Sequence, residues 1–97
     1  KPLDSKLLAR LATTAKALVT VEDHTVVGGL GSAVLEALSE LGSALPVVRL
    51  GIHDVIVPHG DPAKQHEELG YGPKAIRRAI GELIGGVGAG AASRNIA

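Results

Sequence analysis

The segment Ala17-Leu18-Val19-Thr20-Val21 constrains the fold more than any other. Four of its five residues are aliphatic, without strict polar alternation, which reads as a strand buried on both faces; such a strand needs helices above and below a mainly parallel sheet. Helical patterns flank it. Asp4 is placed as an N-cap before Leu7, Leu8, Leu11, Ala12 and Ala15, which recur on one helical stripe. After the strand, Glu22 to Val27 reads as a loop, and Gly28-Gly29-Leu30-Gly31-Ser32 opens a second helix. Its stripe is Leu30, Val34, Ala37, Leu38 and Leu41, with Gly42 as the stop.

Pro46 then leads into a second strand, Val47-Val48-Arg49-Leu50. Asp54 to Pro58 reads as an edge strand or an extended loop ended by its proline. Asp61-Pro62 is an N-cap followed by proline at the first helical position, and that helix should end at Gly70. Pro73 starts a last helix with Ile76, Ile80, Leu83 and Ile84 on one face. The order predicts an α/β fold: a small three-layer, mostly parallel sheet lacking its first strand or strands. Residues 1–84 form the domain, and 85–97, without periodicity, form a flexible tail.

Composition removes several function classes. Ten Lys and Arg balance ten Asp and Glu, so no basic footprint for nucleic acid or an anionic membrane exists. There is no Cys, which removes disulfides, thiolate metal sites and thiol nucleophiles. Tyr71 is the only aromatic residue, so no ring platform for stacking is available. No run approaches the roughly 20 apolar residues of a membrane span, and no secretory signal opens the chain. The chain also has no Met, and Lys1 is too bulky for an initiator Met to be trimmed routinely before it. The expectation is therefore a piece of something longer.

Several residues invite chemistry. Gly29-x-Gly31 before a helix can admit a phosphate to the helix N-terminus, with Ser32 beside it and Arg49 in place of the acidic ribose ligand. Close helix–sheet packing is the favoured reading of the same glycines, because Val34 falls where the third small residue belongs and the loop from Val21 to Gly29 is longer than the usual tight turn. Glu22, Asp23 and His24 follow the first strand, where open α/β sheets place ligands, and can act in acid–base work or hold a loop against a neighbouring domain. Gly28 and Gly29 join them as loop and interface candidates. His24, His53, His59 and His66 lack metal-ligand spacing, so no metal site is expected. His66 is placed on an exposed helix. Ser32 lacks the flanking glycines of a nucleophile elbow.

Val19-Thr20-Val21-Glu22-Asp23-His24 followed by Gly28-Gly29-Leu30-Gly31-Ser32-Ala33-Val34 resembles the C-terminal domain of transketolase-like, thiamine-diphosphate-dependent enzymes. Lys1-Pro2-Leu3-Asp4 and Leu50-Gly51-Ile52-His53-Asp54 agree with it, although His53 replaces the family's usual proline. Glu22-Asp23-His24 looks more like the transketolase branch. Pro58-His59-Gly60 with Glu68-Leu69-Gly70 looks more like the 1-deoxy-D-xylulose-5-phosphate synthase branch, which is favoured. The resemblance implies a cytoplasmic, homodimeric transferase whose thiamine diphosphate and Mg2+ sit in other domains. This piece would then serve interface and stability roles, with no catalytic residue of its own. Two other readings stay open: a subunit of a split transketolase, and a free-standing Rossmann-like module for a nucleotide or phosphate.

Overall fold

The computed structural model describes residues 2–87. Six elements follow in order: α1 (Ser5–Thr14), β1 (Leu18–Thr25), α2 (Leu30–Glu40), β2 (Val47–Ile52), α3 (Pro62–Glu68) and α4 (Pro73–Glu82). A π-helical turn, Leu83–Val87, continues α4. Of the expected tail, residues 88–97 lie outside the described residues, as does Lys1.

Local chemistry sets the helix ends. The Asp4 carboxylate accepts from the Leu7 N–H at 3.0 Å, satisfying a donor that the first turn of α1 leaves open. Asp61 does the same for Lys64 at 3.3 Å, with Pro62 in the first turn of α3. Gly42 and Gly70 end α2 and α3 with φ of +70° and +85°, a conformation that side chains disfavour.

β1 and β2 pair in parallel, with Leu18 opposite Val47 and Val21 opposite Leu50. Helices cover both faces. Leu8, Val34, Leu38 and Val47 form the core under α1 and α2. Val48 and Ala79 form the other, with Val19, Leu50 and Leu83 packed against them under α4. The expected three-layer α/β arrangement is what the chain adopts.

Two expectations are corrected. Glu22, Asp23 and His24 lie in β1 rather than in a loop, because the strand runs on to Thr25. It does so through a bulge: β1 advances from Val21 to Thr25 while β2 advances only from Leu50 to Ile52. Gly51 makes room for it. A Cβ there would stand 3.1 Å from the Glu22 carbonyl oxygen and 3.0 Å from that of His24. Of the two options for Asp54 to Pro58, the segment is loop and not strand.

Candidate functional site

Strand alternation sends Glu22 and Asp23 to opposite faces of the sheet, and two polar clusters result. On the α2 face, Glu22 is only 8% exposed. Its Oε2 accepts from the Gly31 N–H at 3.1 Å, in the first turn of α2. Its Oε1 occupies the space a Cβ on Gly29 would need. A carboxylate at this end of a helix is favoured by the free N–H groups and the helix dipole.

Arg49 reaches the same turn from β2. Its Nη1 donates to the Val26 carbonyl oxygen at 3.2 Å and to Ser32 Oγ at 3.1 Å, while Ser32 Oγ donates to Val26 at 3.1 Å. The Arg49 side chain and the Thr20 hydroxyl both press on Gly31, at 2.6 and 2.7 Å from where a Cβ would stand. Gly29, Gly31, Ser32 and Arg49, singled out as anion candidates, are thus gathered at one turn. The anion bonded to Gly31 there is Glu22.

On the opposite face, Asp23 meets residues that sequence reasoning did not connect to it. The Tyr71 hydroxyl donates to Asp23 Oδ1 at 2.9 Å, and His66 Nε2 lies 3.4 Å from the same oxygen. The His66 and Tyr71 rings are 4.9 Å apart. Burial pushes the Tyr71 phenol above its usual value of 10.0, and the hydrogen bond and negative charge of Asp23 push the same way. His66 is therefore half-buried in a cluster and not on an open helix face, while His24 and Gly28 are exposed at the end of the strand. Alternation of Glu22 and Asp23 was the available signal for two faces. Nothing local pointed to Tyr71.

Comparison with known proteins gives the arrangement a family. The model of the transketolase C-terminal domain matches residues 1–76. The chain belongs to the transketolase C-terminal domain family. Among similar proteins is the 1-deoxy-D-xylulose-5-phosphate synthase of Cupriavidus necator, 49% identical over 88% of this chain and 13% of that enzyme. That of Bordetella avium is 50% identical over 84% of this chain and 13% of the enzyme. That of Cytophaga hutchinsonii is 44% identical over 88% and 13% respectively. The chain therefore spans about an eighth of the length of these relatives.

Neither the side-chain donors nor the Gly-rich turn among the described residues fit Mg2+ or the diphosphate of thiamine diphosphate. Among the described residues, no three His, Cys, Asp or Glu side chains converge to hold a metal ion. The Gly-rich helix N-terminus, where a diphosphate would be received, is already bonded to Glu22. No described helix is long and apolar enough to cross a membrane.

Proposed function

We propose that this chain is the C-terminal interface and stability domain of a 1-deoxy-D-xylulose-5-phosphate synthase. The identity of 49% to the Cupriavidus necator enzyme, sustained over 88% of the chain, carries this reading. In that enzyme class pyruvate is decarboxylated and its two-carbon remnant joined to glyceraldehyde 3-phosphate, serving isoprenoid, thiamine and pyridoxal synthesis. Thiamine diphosphate and Mg2+ belong to the other domains, and the working unit is a cytoplasmic homodimer.

The surface supports an interface role. Val27 and Leu30 flank the β1–α2 turn at 67% and 50% exposure, and Ile56 stands 97% exposed at a loop tip. Apolar side chains so placed are covered when a domain docks on neighbours. Glu22 supports the turn from inside.

A chimera tests the proposal. The segment aligned with this chain is exchanged for it in the Cupriavidus necator synthase, and product formation from pyruvate and glyceraldehyde 3-phosphate is measured. Activity within about tenfold of the parent is the expected result, a difference of no more than about 1.4 kcal/mol in the barrier. A chimera that folds and dimerises but forms no product overturns the assignment. Calorimetric titration of the isolated chain with thiamine diphosphate and Mg2+ should show no saturable heat.

A further inference from the structure

We propose that the first turn of α2 is a built anion cradle that the chain keeps filled with its own Glu22 carboxylate, so that a small free carboxylate binds there once Glu22 is shortened. The cradle has more than a helix end. The Gly31 N–H donates to Glu22 at 3.1 Å, and Gly29 leaves the space that the second carboxylate oxygen occupies. Thr20, 8% exposed, turns a hydroxyl without a hydrogen-bond partner among the described residues against Gly31. From the other strand, the Arg49 side chain flanks Gly31 and its guanidinium bonds Ser32 in the same turn. An N–H donor, a buried hydroxyl, a nearby guanidinium and the positive end of α2 together select a small oxyanion.

Glu22 holds this place because it is tethered. A side chain two residues from Thr20 on the same strand has an effective concentration that a free anion at ordinary levels does not match. This turns a strand–glycine–helix turn of dinucleotide-site type into a closed, self-liganded one. A shallow depression of about 420 Å³ lined by Leu3, Gly28, Gly29, Leu30 and Ala33 lies beside it, and Gly29 is common to both. That depression is the route by which a free anion would enter.

The test uses the full 97-residue chain. Thermal melts of wild type, Glu22→Ala and Glu22→Gln are recorded at neutral pH in sodium acetate, titrated against sodium chloride at matched ionic strength. Acetate at about ten times its dissociation constant should raise the midpoint of Glu22→Ala by roughly 5–10 °C over chloride and leave wild type unmoved. Saturable movement of the Gly31 amide resonance in that variant should accompany the rise. Glu22→Gln, whose amide oxygen still accepts from Gly31, should melt between the other two and ignore acetate. If Glu22→Ala is unfolded in chloride, acetate must restore its helical circular dichroism. Equal responses of wild type and Glu22→Ala, or a Glu22→Ala chain that stays unfolded in acetate, overturn the proposal.

Discussion

The Tyr71 hydroxyl donates to Asp23 Oδ1 at 2.9 Å, joining residues 48 positions apart. Helix α3 has no buried residue of its own. Its attachment to the sheet runs through its own half-buried His66, the Tyr71 ring tilted against it at 4.9 Å, and the Asp23 carboxylate they share. Gln65 adds a bond to the Pro58 carbonyl that holds the preceding loop.

Replacing Tyr71 by Phe keeps the buried ring and removes only the donor. Asp23 is 77% exposed, so water replaces most of what the carboxylate loses. The expected destabilisation is about 0.5–1.5 kcal/mol, the range of an ordinary hydrogen bond and below that of a buried charged one. Urea denaturation measures it. A double-mutant cycle with Asp23→Ala should return a coupling of the same sign, and zero coupling would mean that the bond contributes nothing.

The same tyrosine gives a pH dependence with a definite sign. Its folded-state value is raised above 10.0, first by burial and then by Asp23. The neutral phenol is thus favoured by the fold, and this contribution is fully present below pH 10. It is lost as pH rises from there through the folded-state value. Because Tyr71 is the only Tyr and no Trp is present, the ultraviolet tyrosinate band reports this one group. Folded chain should ionise at higher pH than urea-unfolded chain, and the stability gap between wild type and Tyr71→Phe should close over the same interval.

Core and surface leucine-sized side chains should separate cleanly. Leu38 is 2% exposed between α1, α2 and β2, so Leu38→Ala should cost about 2–5 kcal/mol, enough to unfold a domain of this size in part. Ile56, 97% exposed, should tolerate Ser within about 0.5 kcal/mol in the isolated chain. Denaturant midpoints decide both. A large loss at Ile56 would mean that its loop packs on something in the isolated chain.

What could be read in the sequence was what local chemistry writes. Asp4, the Asp61-Pro62 pair, Gly42 and Gly70 fix helix ends through bonds to residues three or four positions away, and each boundary fell within a residue or two. The continuous apolar start of β1 revealed a strand covered on both faces. Its polar second half did not show itself as strand. Glu22 and Asp23 owe their places to Gly31 and Tyr71, which folding brings to opposite faces. Gly29, Gly31, Ser32 and Arg49, named from the sequence as anion candidates, meet at one turn where Gly31 donates to Glu22. That the anion is the chain's own carboxylate follows from β1 running on past Val21, which keeps Glu22 on the same face as Thr20; the polar composition of this half hid the strand.

Two glycines on helices should respond in opposite directions to alanine. Gly81 lies within α4, and a Cβ there would meet nothing within 4 Å. Gly81→Ala removes backbone freedom from the unfolded chain at no steric cost, so it should stabilise by about 0.5–1 kcal/mol. Gly31 lies in the first turn of α2, and its surroundings are crowded. A Cβ would stand 2.6 Å from Arg49 Cδ and 2.7 Å from Thr20 Oγ1. The long Arg49 side chain can shift, but doing so disturbs its bonds to Val26 and Ser32. The crowding therefore outweighs the gain in helix propensity, and Gly31→Ala should destabilise by about 1–3 kcal/mol. Paired urea curves on the two variants test the argument at the level of sign. If Gly31→Ala proves as stabilising as Gly81→Ala, then helix α2 does not sit as tightly on Thr20 and Arg49 as its geometry requires.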